Sequence, residues 1–276
     1  MRMDEVLFYM LSFLYFLIKI SPKTKKWFWK KWYTLFASKA PNPEFRFMNY
    51  GYYKDGFHPE LDSSDEIERF PIQLYHHVTS QIELKGKSVL EVGSGRGGGA
   101  FHIAQYLRPL QMTGIDISDT AVELCNSIYD VDNLKFVVGD SENIPFDDEQ
   151  FDVVINVESS HCYGSMQSFL RETFRILKPG GFFLFCDLRE TSAVNELLTQ
   201  FKISGLQLIE NQDITENIIE ALNRMSTERK ETINHSVPRI LKRTFESYAG
   251  VKGSKMYDSF SNGTLTYLST CLQKPV

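Results

Sequence analysis

From residue 85 onward this sequence predicts an α/β fold, a mainly parallel sheet covered by helices on both faces. Two observations carry that expectation. Short apolar runs of strand length alternate with longer stretches at helical spacing, the pattern of successive strand–helix units. The first of these runs also passes directly into a glycine-rich turn and a helical stretch, in Val89-Leu90-Glu91-Val92-Gly93-Ser94-Gly95-Arg96-Gly97-Gly98-Gly99.

The elements follow in order. Ser88–Val92 reads as the first strand and 99–107 as the helix after it. The second strand is 112–116, and a helix over 119–129 takes Ser118 or Asp119 as its cap. Residues 134–139 form the third strand and Phe151–Val157 the fourth. A helix over 165–176 is closed by Lys178-Pro179-Gly180-Gly181, since proline cannot continue a helix and glycine supplies the turn. The fifth strand is 182–187, a helix covers 196–201, and 206–210 reads as the sixth strand. Residues 214–257 are helical and charge-rich, and 263–272 alternates as a seventh strand should.

Composition narrows the class. The 276 residues suffice for a sizeable core, and 42% hydrophobic with 24% charged residues is ordinary for a globular protein. A net charge of −5 and the absence of a nucleic-acid-reading motif argue against a nucleic-acid partner. Cys125, Cys162, Cys186 and Cys271 lie far apart with no C-x-x-C pair, which fits reduced thiols in the cytoplasm. No His, Cys or carboxylate cluster at ligand spacing predicts a metal.

The first forty residues differ from the rest. An apolar run over 6–18 is followed by Lys19, and over 23–33 lysines interleave with Trp27, Phe28, Trp29, Trp32 and Tyr33. The run is shorter than the ~20 residues a spanning helix needs. It suits a helix lying in the membrane interface with lysines near anionic headgroups; packing on the domain as an ordinary helix is the alternative. The predicted organisation is a membrane-associating segment at 1–40 and an α/β domain at 41–276, with a helical lid at roughly 213–260. The protein is expected in the cytoplasm, attached peripherally to the membrane surface through 6–33.

The glycine turn points to a ligand. Glycine allows close backbone approach at positive φ, and a helix start offers free N–H groups. Gly93, Gly95 and Gly98 also satisfy a dinucleotide fingerprint. Asp116, ending the second strand, can accept from both ribose hydroxyls, which fits a nicotinamide dinucleotide equally well. Asp140, after Gly139, can accept from an adenine amine or merely cap its loop. Taken together, Glu91, Gly93, Asp116, Gly139-Asp140, Phe151-Asp152-Val153-Val154 and Leu177-Lys178-Pro179-Gly180-Gly181 resemble the motifs of class I S-adenosylmethionine-dependent methyltransferases. That resemblance implies a Rossmann-like sheet of seven strands and S-adenosyl-L-methionine as cofactor. It would be held by Glu91, Gly93, Ser94, Gly95, Asp116, Ile117, Asp140, Ser141, Glu142 and Val157. Tyr50 would fold over it, or pack the N-terminal arm onto the domain.

The likeness extends further. Lys30-Lys31-Trp32-Tyr33, Met48-Asn49-Tyr50-Gly51-Tyr52-Tyr53 and Leu74-Tyr75-His76 resemble the phthiotriol/phenolphthiotriol dimycocerosate methyltransferases. So do Gly97-Gly98-Gly99-Ala100, Glu158-Ser159-Ser160-His161-Cys162-Tyr163 and Cys186-Asp187-Leu188-Arg189. The resemblance implies a lipid-like small-molecule acceptor methylated on a hydroxyl.

An alcohol oxygen is a weak nucleophile until its proton leaves, so a positioned base helps. His161, just beyond the fourth strand, is the candidate, because open α/β sheets bind ligands at the carboxyl ends of their strands. Either Glu158 or Asp187 can orient its imidazole; the alternative is that His161 bonds a loop carbonyl only. His76 and His77 read as helix-face residues. C-methylation of a sterol, isoprenoid or quinone is the second reading. A nicotinamide-dependent dehydrogenase or a non-catalytic scaffold is the third. Acceptor identity and oligomeric state carry no residue code.

Overall fold

The structure is a computed structural model that describes Thr24, residues 46–236 and residues 242–276. The membrane-associating segment expected at 1–40, with its contacts at 6–33, lies outside the described residues apart from Thr24. No described helix is long and apolar enough to cross a membrane.

A seven-stranded sheet runs in the order β3-β2-β1-β4-β5-β7-β6. At its centre β1 (Ser88–Val92) pairs in parallel with β2 (Gln111–Asp116) on one side and β4 (Phe151–Val157) on the other. Then β3 (Leu134–Val138) adds to β2, and β5 (Leu177–Glu190) to β4, again in parallel. The last strand in sequence, β7 (Leu265–Gln273), inserts antiparallel between β5 and β6 (Gln207–Asp213). Alternation at 263–272 announced a strand but not its direction, which depends on the partners that β5 and β6 present.

The central strands read as continuous apolar runs because both faces are covered. Val89, Val153 and Ile155 enter one core while Leu90, Val92 and Val154 enter the other, as the period of two requires. On these faces pack α1 (Arg69–Thr79), α2 (Gly98–His102, continued by a π turn at Ile103–Leu107), α3 (Asp119–Ile128), α4 (Met166–Ile176) and α5 (Val194–Ile203). Of the two caps the sequence offered for α3, Ser118 serves: its Oγ accepts from the Ala121 N–H, and on α4 Ser165 Oγ accepts likewise from the Ser168 N–H.

Two boundaries differ from expectation. The Lys178-Pro179-Gly180-Gly181 run ends α4 but also belongs to β5. Pairing with β4 jumps from Phe151↔Leu177 to Val153↔Phe182, so the turn residues bulge out of the strand. The helical stretch 214–257 resolves into α6 (Thr215–Ser236), α7 (Lys242–Tyr248) and α8 (Lys255–Ser261). The strand order reverses between β1 and β4, where a crevice opens beyond their carboxyl ends.

Candidate active site

That crevice is lined by the glycine turn after β1, Asp116 and Ile117 after β2, Gly139, Ser141 and Glu142 after β3, and residues 157–159 and 161–163 after β4. Residues 46–50 close another side. Gly93 and Ser94 donate their N–H groups to Ile115 O at 2.8 and 2.9 Å, which ties the turn to β2. Gly93 has φ +80°, and a Cβ there would meet Ser159 Oγ at 2.4 Å, so only glycine fits. Asp116 anchors the turn from beside it: Oδ2 accepts from the Gly95 N–H and Oδ1 from the Ser118 N–H, each at 2.9 Å.

Glu91 lies below the turn, not in its wall. It is fully buried, with Oε1 accepting from Tyr75 OH at 2.7 Å. Burial, aided by Asp116, pushes its pKa up to about 8 against the pull of its hydrogen bonds. Tyr75 in turn leans on Gly99, where a Cβ would stand 2.0 Å from the ring. Asp140 turns its carboxylate onto its own loop, accepting from the Glu142 N–H at 3.0 Å, the loop-capping arrangement. Its neighbours Ser141 and Glu142 reach the cavity instead. Glu142 Oε1 also takes the N–H groups of Gly164 and Ser165 at 2.9 and 3.3 Å, bridging this loop to the start of α4. Ile117 and Val157 supply apolar wall.

The open question between Glu158 and Asp187 has a geometric answer. Glu158 does not hydrogen-bond His161. Its Oε1 accepts from the Tyr50 N–H at 2.7 Å and from Tyr267 OH at 2.5 Å. Its φ is +46°, an unusual conformation for a non-glycine residue. Burial raises its pKa to about 7, with Asp187 adding to the rise. Tyr50 lines the cavity, and its ring packs 5.5 Å from that of Phe260 on α8.

Asp187 is the partner of His161. Its Oδ1 stands 2.8 Å from Nδ1, and its Oδ2 accepts the His161 N–H at 2.9 Å. Asp187 is completely buried, whereas 27% of the His161 side chain is exposed. Burial alone would lower the imidazole pKa. Cys162 beside it and the Asp187 carboxylate outweigh that and hold it well above the ordinary value. With Nδ1 facing the carboxylate, Nε2 is the acceptor nitrogen of the neutral ring. His76 and His77 are outside the cavity wall: His76 Nε2 lies 2.7 Å from His102 Nε2, and His77 stacks on Tyr52 at 4.4 Å.

Residues 83–242 match the family model described as a methyltransferase domain. The chain belongs to the class I S-adenosylmethionine-dependent methyltransferases. The phthiotriol/phenolphthiotriol dimycocerosates methyltransferase of Mycobacterium tuberculosis is 35% identical over 255 residues, 92% of this chain and 94% of that one, which places this methyltransferase in that family. The fatty-acid O-methyltransferase of Mycolicibacterium smegmatis is 34% identical over 230 residues, 83% of each chain. Among solved structures, geranyl diphosphate C-methyltransferase from Streptomyces coelicolor superposes with a TM-score of 0.63 at 16% identity, covering 88% of this chain and 98% of that one.

S-adenosylmethionine is the cofactor of this methyltransferase, and the crevice fits it. Ser94 Oγ is buried in the wall without a hydrogen-bond partner, a polar atom awaiting a ligand. Gly93 leaves no room for a side chain, and Asp116 stands in the wall beside it. Tyr75 and Tyr267, which hold Glu91 and Glu158, were not singled out for a role in the sequence. Their only trace there is Tyr75 inside the Leu74-Tyr75-His76 motif.

Proposed function

We propose that this methyltransferase methylates a hydroxyl oxygen of a lipid-like acceptor, with His161 as general base held by Asp187. The observation that carries the reading is the Asp187–His161 pair, whose imidazole lines the cavity with the buried carboxylate behind it. Bound S-adenosylmethionine supplies a methyl group already activated by the adjoining sulfonium charge. The glycine turn and Asp116 orient it, and the walls keep the acceptor in line. His161 Nε2 would take the hydroxyl proton as the oxygen–carbon bond forms and the methyl–sulfur bond breaks, its electron pair leaving with sulfur as a neutral thioether, and Asp187 would stabilise the resulting imidazolium. A carboxylate acceptor would need no base, so the pair favours an alcohol.

The names of the relatives, dimycocerosates and fatty acids, support a lipid class of acceptor. In the same reading, residues 1–40 bring the domain to the membrane surface where such a molecule resides. The stretch 213–260 serves as the lid, in keeping with reciprocal bonds between Tyr53 and Asn217 that tie α6 to the segment over the cavity. C-methylation would also use a base and is separated by the product. The deciding experiment incubates the enzyme with methyl-labelled S-adenosylmethionine and a total lipid extract. Label recovered as a methyl ether supports the reading; label on carbon refutes it.

A further inference from the structure

Strand β5 runs through Cys186-Asp187-Leu188-Arg189, and the Arg189 guanidinium folds back over the same carboxylate that holds the base. Its Nη1 lies 3.0 Å from Asp187 Oδ2 and donates to Leu188 O at 2.6 Å. Its Nη2 donates to Ser160 Oγ at 2.6 Å, and Ser160 Oγ donates to Asp187 Oδ2 at 2.6 Å. The face of Phe185 lies 5.4 Å away. Only 14% of the Arg189 side chain is exposed and none of Asp187, so solvent screens their attraction little.

Asp187 thus serves two cations, His161 on Oδ1 and Arg189 on Oδ2. A buried carboxylate with no second partner would hold a proton on the imidazole more firmly still. A permanent positive charge on the other oxygen opposes that proton. Burial works to raise the Asp187 pKa; the charges of His161 and Arg189, with hydrogen bonds from His161 and Ser160, more than reverse it. The remaining groups around the ring do not supply the opposing charge. Cys162 beside it acts in the other sense, raising the imidazole, Glu158 at the end of β4 is acidic, and Cys186 and Tyr267 behind Glu158 are buried with their protons held. Arg229 of α6 acts on Glu158.

We infer that Arg189 is a positioning residue for methyl transfer: through Ser160 it locks Asp187 toward His161, and its charge keeps the imidazole less basic than its other neighbours alone would make it. The inference rests on His161 acting as base, and its test separates the two ideas. The His161 ring is titrated by NMR in the full-length enzyme, its resonance assigned by its loss in His161→Gln. The pH dependence of labelled methyl transfer to lipid extract is measured alongside, for wild type, Arg189→Met and Arg189→Lys. Arg189→Met should raise the His161 pKa by about one unit, carry the acid limb of the rate profile up with it, and leave the melting transition cooperative. Arg189→Lys should restore both most of the way. Arg189→Gln, which can still bond Ser160, takes the place of the methionine variant if that one does not fold. A higher pKa with an unmoved acid limb would keep the role of Arg189 and remove His161 as base. An unchanged or lowered pKa in a folded variant overturns the inference, because a merely structural arginine would lower stability and rate at every pH without moving the titration.

Discussion

The backbone N–H of Tyr50 donates to Oε1 of Glu158 at 2.7 Å, joining segments 108 positions apart in the chain. The same oxygen receives Tyr267 OH, so one acceptor atom pins the segment beside the cavity to β4 and β7. Glu158→Gln keeps a carbonyl oxygen there and should melt close to wild type. Glu158→Ala leaves two donors unsatisfied, at ~1–3 kcal/mol, and should weaken S-adenosylhomocysteine binding because Tyr50 lines the cavity. Thermal melts and calorimetric titration check both; equal losses in the two variants would contradict this account.

Removing the base should separate binding from chemistry. His161→Ala should lower kcat by roughly 10²–10⁴-fold while the affinity for S-adenosylhomocysteine, measured by calorimetry, stays within about twofold of wild type. Unchanged turnover would show that another group accepts the proton.

The pH dependence follows from the same pair. Below its raised pKa the His161 ring already holds a proton and cannot take another, so kcat should fall as pH drops through a value above the ordinary ~6.5. Asp187→Asn deletes the carboxylate charge that, with Cys162, raises this pKa. The acid limb should therefore move to lower pH while the plateau rate drops. A limb that stays in place would mean a different group titrates.

Stability has its own pH signature. Glu91 has a folded pKa pushed up to about 8 by burial, well above its unfolded value. The folded protein holds a proton that the unfolded chain gives up, so this contribution is fully present below the unfolded pKa and is lost as pH rises through about 8. Each pKa unit corresponds to about 1.4 kcal/mol, and even half of the rise amounts to roughly 2 kcal/mol. Glu91→Gln, which still accepts from Tyr75 OH, should show a flatter loss of stability between pH 5 and 8 in urea melts. A slope equal to wild type would assign the proton elsewhere.

The sheet and the cradle were legible because they depend on local pattern. Strands buried on both faces spell themselves as Val89–Val92 and 153–157, and the glycine turn must follow the first of them. The details that remained open depend on contacts across long separations. Whether Glu158 or Asp187 holds His161 is settled by β5 lying next to β4, which puts Asp187 Oδ1 at Nδ1 while Glu158 turns in the left-handed conformation toward Tyr50 and Tyr267. Asp140 fits an adenine amine and a loop cap equally well in sequence, and in the fold its Oδ1 accepts from the Glu142 N–H. Tyr75 reaches Glu91 from α1 because Gly99 yields space to its ring, a relation between three segments that no single one announces.

The placement of β7 also bears on how the protein is made. Its neighbour β6 pairs with nothing else in the sheet, and about fifty residues of α6, α7, α8 and their links separate the two. During synthesis from the N-terminus, β6 leaves the ribosome well before the strand that will hold it, exposing Leu208 and Ile209, which remain more than half exposed even in the finished fold. For that interval the growing chain carries an unpaired strand edge, the type of surface that chaperones cover and that aggregation exploits.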